Sequence, residues 1–172
     1  TGSNGTIKHG LNSAPSTIIH KRLNSTSGWV VWHKSIGTNI LELNSTGAQQ
    51  SGSSYINGTV PTSSVFSIGT SGDINASGGT YIAYCFAEKQ SYSKFGSYTG
   101  NNNADGAFIY TGFSPAFIII KKTSASGNGW QLRDNKRTPY GNETKNLMYA
   151  SANSAEQTTD GFDFLSNGFK WR

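Results

Sequence analysis

Ser13-Ala14-Pro15-Ser16-Thr17-Ile18-Ile19-His20-Lys21 returns a hundred residues downstream as Phe113-Ser114-Pro115-Ala116-Phe117-Ile118-Ile119-Ile120-Lys121. Proline falls on proline and lysine on lysine. Each proline stands just before a short β-branched run, where its missing N–H costs no ladder bond. Both runs therefore read as strands. After each comes a Ser/Gly/Asn link and a tryptophan: Ser25-Thr26-Ser27-Gly28-Trp29 against Ser124-Ala125-Ser126-Gly127-Asn128-Gly129-Trp130. In Trp29-Val30-Val31-Trp32-His33, alternation sets Trp29, Val31 and His33 on one face and Val30 and Trp32 on the other.

The likeness extends outward. Gly5 to Leu11 resembles Ala107 to Phe113, Asn39-Ile40-Leu41 resembles Asn146-Leu147-Met148, and Val65 to Ile68 pairs with Phe162-Asp163-Phe164. The chain thus divides into a first β repeat, 1–100, and a second, incomplete one, 101–172. The two pack as one unit, because about 70 residues is thin for a lone β domain. The second copy stops before any counterpart of Tyr81 to Glu88, so either the chain continues or a neighbouring subunit supplies that strand. Tyr81-Ile82-Ala83-Tyr84-Cys85-Phe86-Ala87 is apolar on both faces and reads as a central, covered strand. Segments 51–64 and 96–106 read as loops.

Composition agrees. Ser, Thr, Asn and Gly make up 78 of 172 residues, while only 13% are charged and 12% aromatic. Small polar residues and Gly in clusters, with short β-branched and aromatic runs between them, mark a turn-rich all-β chain. The predicted fold is an antiparallel β-sandwich, jelly-roll-like, built from two related halves. No sustained period of 3.6 residues occurs, which excludes a helical bundle. No apolar run approaches the roughly 18 residues of a membrane-spanning helix. The net charge of +5 is carried by scattered residues. A solvated surface explains these better than a nucleic-acid interface, so neither nucleic acid nor membrane is an expected partner. The lone Cys85 sits in the apolar run and reads as a buried structural thiol.

Several strings resemble one known family. They are Tyr81 to Glu88, Ser93-Lys94-Phe95-Gly96-Ser97-Tyr98-Thr99-Gly100-Asn101, Tyr110 to Ala116, Pro61 to Ser67, and Phe164-Leu165-Ser166-Asn167-Gly168-Phe169-Lys170. Together they resemble an uncharacterised domain of virion-associated proteins in marine tailed bacteriophages. The resemblance implies a tail fibre, an appendage or a capsid-surface (decoration) component, located in the virion. The partners it implies are other virion proteins and copies of this chain. In similar sequences a further strand follows the region matching Lys170 to Arg172. The resemblance brings no catalytic residues with it.

The residues themselves offer little chemistry. Glycosidase action needs two carboxylates about 5–9.5 Å apart. Asp160 and Asp163 are the closest pair of acids, and turn or surface roles explain them. Asn101, Asn103 and Asp105 match the first half of a calcium loop, but the twelfth position is Gly112, so a polar turn is the simpler reading. His9, His20 and His33 fit no zinc spacing and read as strand-surface histidines. Neither Gly-x-Ser-x-Gly nor Gly-x-Gly-x-x-Gly after a strand occurs, so no enzyme, metal or cofactor is expected. Trp29 and Trp130 recur and fit core packing. Tyr55, Tyr92, Tyr98 and Tyr140 lie in polar stretches and are the candidate binding residues. They support an alternative function, a carbohydrate- or receptor-binding module of a phage adhesin with a depolymerase as its enzymatic extreme. The host-surface glycan is then the partner. The unfilled strand position predicts an oligomer, either a trimeric fibre segment or a repeating surface array.

Overall fold

The computed structural model describes residues 2–137 and 142–172. Every strand pairing among them is antiparallel, and helix is confined to a 3-10 turn, Lys34–Ile36, and a single α turn, α1 (Gly72–Asn75). The all-β antiparallel expectation holds, and the sheets include a half-barrel.

Thirteen strands occur among the described residues. β1 (Gly5–Lys8) and β6 (Val65–Ile68) form a two-stranded ribbon. A five-stranded sheet runs in the order β5 (Gln50–Ser51), β4 (Asn39–Glu42), β3 (Trp29–His33), β2 (Thr17–Arg22), β7 (Tyr81–Phe86). A six-stranded sheet runs β8 (Phe108–Tyr110), β13 (Gly168–Trp171), β12 (Gln157–Leu165), β11 (Thr144–Tyr149), β10 (Gln131–Asp134), β9 (Phe117–Ile120).

Alternation along β3 gives the five-stranded sheet two apolar faces. Val30 and Trp32 join Ile18 and Ile40 on one face, under Ile56, Phe66 and Ile74. Trp32 also donates its indole N–H to Gly37 O at 2.7 Å. On the other face Val31 and Leu41 pack against Trp130, with Ile19, Leu43 and Ala150 at the margin. Trp130 immediately precedes β10, so this contact joins the two larger sheets. Its indole N–H donates to Glu42 O at 2.8 Å, which leaves the buried ring no unmet donor. A polar seam runs beside it: Gln49 N–H donates to Thr123 O and Gly127 N–H to Thr46 O, both at 3.0 Å. The six-stranded sheet has its own core, Ile118, Phe162, Phe164 and Phe169, with Ile109, Ile120 and Trp171 packed against it.

Four sequence expectations are corrected. β7 is not a central strand: among the described residues it pairs with β2 alone and ends the sheet, leaving Ile82, Tyr84 and Phe86 exposed. Apolar residues on both faces of a strand do not reveal how many neighbours it has. The partner of β8 is β13, with Phe169 opposite Ile109 as Phe66 is opposite Ile7. The expected match of Val65–Ile68 to Phe162–Phe164 therefore gives way to β13. Asp163 is not at a turn or on the surface: it is buried within β12 and ion-paired to Arg172.

His20 is no surface residue either. It is 4% exposed, its ring meets Phe66 edge-on at 5.2 Å, and Nε2 has no hydrogen-bond partner among the described residues. Burial lowers its pKa from 6.5 to about 4. A base whose folded pKa lies below its unfolded value takes up its proton more readily unfolded. Stability is therefore full above pH 6.5 and is lost as pH falls toward 4, by about 3 kcal/mol in all at roughly 1.4 kcal/mol per unit.

Replacing His20 by Ile is expected to flatten the urea midpoint against pH over that window relative to the unaltered chain; parallel profiles would contradict the assignment. Trp130→Ala is expected to cost about 3–5 kcal/mol. Trp130→Phe, which loses the bond to Glu42, is expected to cost less. Both are read by circular dichroism during urea unfolding, and equal midpoints for the unaltered chain and Trp130→Ala would contradict the packing role.

Candidate functional site

The loop between β7 and β8 lies against β10, β12 and β13 of the six-stranded sheet and borders an open pocket of about 340 Å³. Gln131 and Arg133 of β10, Thr159 of β12 and Trp171 of β13 line it from the sheet, with Arg172 beside them. Tyr98, Asn101 to Asn103, Gly106 and Ala107 line it from the loop.

Local chemistry shapes the loop. Asn101 Oδ1 accepts from Asn103 N–H at 3.3 Å, and Asn103 Oδ1 accepts from Asp105 N–H at 2.8 Å, so two successive Asx turns fold the segment. Asn102 takes φ of 52°, a left-handed conformation that asparagine tolerates better than most residues. Asn101 Nδ2 closes the loop onto Asp105 O at 3.0 Å. Gly106 lets the loop reach β13: a Cβ there would lie 2.5 Å from Trp171 Cβ and 2.9 Å from Trp171 O. The Asp105 carboxylate is fully exposed and pairs with Lys170, which holds its pKa below the usual carboxylate range. The oxygens that match the first half of a calcium loop are thus engaged with backbone N–H groups and an ammonium, and the segment is a polar turn.

Arg133 is 1% exposed and sits over two rings, 5.2 Å from the Phe162 centroid and 5.5 Å from that of Trp171. Its Nε and Nη2 donate to Gln131 Oε1 at 3.2 Å, and Nη1 donates to Thr144 O at 3.4 Å. Hydrogen bonds and aromatic faces together replace part of its lost hydration. Reading every basic residue as solvated surface missed this one. A signal was present: Arg133 follows Trp32 by the interval that separates Trp29 from Trp130, which puts it at the place of a buried aromatic.

Of the three candidate tyrosines among the described residues, Tyr55, Tyr92 and Tyr98, only Tyr98 reaches the pocket. Its hydroxyl accepts from Trp171 Nε1 at 2.7 Å, its ring meets Phe169 edge-on at 6.3 Å, and burial raises its pKa. Tyr55 packs against the core of the first sheet, where burial raises its pKa. Tyr92 is 78% exposed at the 89–93 turn, with Lys89 Nζ 5.9 Å from its ring centroid. Tyr140 lies outside the described residues, as does the Asp160 side chain.

The histidines stay apart. His9 Nε2 lies 3.1 Å from Thr62 O, and His33 Nδ1 accepts from Ser35 N–H at 3.1 Å. Burial lowers the His33 pKa, Lys34 adds to the effect, and Glu88 opposes both. Cys85 packs against the first core, and burial raises its thiol pKa. Among the described residues no three His, Cys, Asp or Glu side chains cluster as a metal site would need. The pocket offers an indole, a phenol, several amides and a buried guanidinium. That set suits holding a hydroxyl-rich ligand by stacking and hydrogen bonds.

The family described as Domain of unknown function (DUF7483) matches residues 1–172, so the chain belongs to that family. No curated protein and no solved structure matches the sequence.

Tyr98→Phe deletes the acceptor for the Trp171 indole and is expected to cost about 1 kcal/mol. Gly106→Ala is expected to cost about 1–3 kcal/mol, because the added methyl meets β13. Chemical unfolding checks both, and a Gly106→Ala chain as stable as the original would show that the loop does not sit on Trp171.

Proposed function

We propose that this chain is a non-enzymatic structural component of a bacteriophage virion, a tail-fibre, appendage or capsid-surface (decoration) protein. The observation that carries the reading is the run of large apolar side chains left exposed on strands that end sheets. They are Ile82, Tyr84 and Phe86 on β7, Phe108 and Tyr110 on β8, and Phe117 and Ile119 on β9. Exposed apolar edges are a hazard for a free monomer and an asset for a subunit that packs against neighbours. Low charge lets such subunits approach without strong repulsion. The resemblance of the Tyr81–Glu88 and Phe164–Lys170 strings to virion-associated proteins supports the same reading.

The architecture that serves this function is a sandwich-like unit of two related halves, 1–100 and 101–172. Equivalent hydrogen bonds support the relation. Lys21 Nζ donates to Ser27 O at 2.7 Å, and Lys121 Nζ to Asn128 O at 2.8 Å. Lys34 N–H donates to Ser16 O at 2.9 Å, and Asn135 N–H to Ala116 O at 3.1 Å. Trp29 N–H donates to Asn44 Oδ1, and Trp130 N–H to Ser151 Oγ. Val31 lies opposite Leu41, and Leu132 opposite Met148.

A second reading, carbohydrate or receptor binding, is favoured by the Tyr98–Trp171 pair beside Arg133 in the pocket. Two measurements separate the two. Quantitative mass spectrometry of purified particles is expected to find the chain at many copies per virion; its absence from particles would refute the structural reading. Glycan-array binding that Tyr98→Ala abolishes would establish the second reading.

A further inference from the structure

We infer that a second pocket, between the β1–β6 ribbon, α1 and β7, binds a small uncharged apolar molecule bearing one hydroxyl, an alkylphenol in kind, through the imidazole of His20. The inference goes beyond the virion reading and does not depend on it.

The pocket holds about 260 Å³. Side-chain size accounts for the space. Ile7, Phe66 and Ile68 reach it from the ribbon and Ile74 from α1, whereas Ala76, Gly79 and Ala83 contribute little beyond backbone. Ala83 stands directly opposite His20 in the β2–β7 register, so the imidazole has only a methyl group as its neighbour across that pair. Gly79 passes close to the Tyr81 ring: a Cβ there would lie 2.5 Å from the hydroxyl oxygen. Ile7 and Ile82, both exposed, mark the mouth.

The polar groups of the wall are engaged within the chain, apart from one. Asn75 Nδ2 donates to Ser3 O and to Gly69 O, both at 2.6 Å. The Tyr81 hydroxyl accepts from Ala76 N–H at 2.6 Å and donates to Gly72 O at 2.8 Å. His20 lines the same pocket, and its Nε2 is the one buried side-chain nitrogen or oxygen without a hydrogen-bond partner among the described residues. Leaving such a group unmet costs stability, so its presence in a folded chain asks for a reason.

The ligand's chemistry follows from these walls. Burial keeps His20 neutral, so the ring carries one N–H donor and one bare acceptor, and a hydroxyl can answer either. A half-turn about Cβ–Cγ exchanges the two edges of the ring, so either can meet the ligand. No Lys, Arg, Asp or Glu lines the pocket, and a charged head group would enter without a counter-charge. Apolar walls with one polar contact suit an uncharged ligand. An apolar cavity of about 150 Å³ holds benzene, so this one takes a ring with roughly three further heavy atoms.

Titration of the intact chain with para-ethylphenol, followed by amide chemical shifts, tests the inference. Binding at about millimolar strength or tighter is expected, with shifts centred on Ile74, Ala76 and Ala83. Ethylbenzene, which lacks only the hydroxyl, is expected to bind about tenfold more weakly. His20→Ile is expected to remove that discrimination, so that both probes bind alike. Ala83→Phe, at an exposed position, is expected to fill the space and abolish binding of both probes with an unchanged circular dichroism spectrum. Absence of binding to the unaltered chain, equal affinity of the two probes for it, or undiminished binding to Ala83→Phe would each overturn the inference. None of these measurements involves virus particles, so the virion reading stands or falls separately.

Discussion

Trp130 is the contact on which the arrangement of the molecule depends. The five-stranded sheet is apolar on both faces, and the β1–β6 ribbon with its adjoining segments covers only one. Val31 and Leu41 on the other face find their cover in one indole from the far half of the chain. The ring brings both apolar area and a donor, and the donor is satisfied by Glu42 O. A smaller residue would leave a hole, and a polar one would bring groups with no partner there. The link between the sheets therefore rests on few large residues, with the seam of backbone bonds around residues 46–49 and 123–127 fixing its orientation.

The two larger sheets solve the same packing problem with different chemistry. The first buries Trp32 under isoleucines and Phe66. The second sets Arg133 opposite Ile118, as the first sets Trp32 opposite Ile18, and surrounds it with Phe162 and Trp171. A buried guanidinium is costly without partners, so Gln131 and the Thr144 carbonyl belong to the same device. His20 is the polar case in the first sheet: its ring is buried against Phe66, and it stays neutral because burial disfavours its charge.

Much of the strand pattern was legible in the chain. Pro15 and Pro115 mark strand starts, alternation in Trp29 to His33 assigns the two faces, and Asn39-Ile40-Leu41 and Asn146-Leu147-Met148 occupy matching positions. Side-chain periodicity carries these because it is local. Sheet neighbours are not local, which is why β7 read as central and why Val65–Ile68 was matched to Phe162–Phe164 and not to the strand that pairs with β8. The pocket was legible only through its loop side, in Tyr98, Asn101 and Asn103. Its other walls, Gln131, Arg133, Thr159 and Trp171, come from three strands whose approach depends on the completed sheet. Tyr55 shows the converse: a polar neighbourhood in sequence surrounds a ring that the fold buries.

The β2–β7 pairing also sets an order in time. β2 and β3 are joined by a short link and can meet as soon as both exist, whereas β7 is held about sixty residues away and must wait for the intervening chain to be placed. Loop closure of that length is slow compared with a local hairpin. As the chain emerges in synthesis, one edge of β2 therefore stays open until residue 86 has appeared. During that interval the chain exposes the kind of apolar edge that invites pairing with a neighbour, so the rate of elongation and the local concentration of nascent chains govern how much of it folds cleanly.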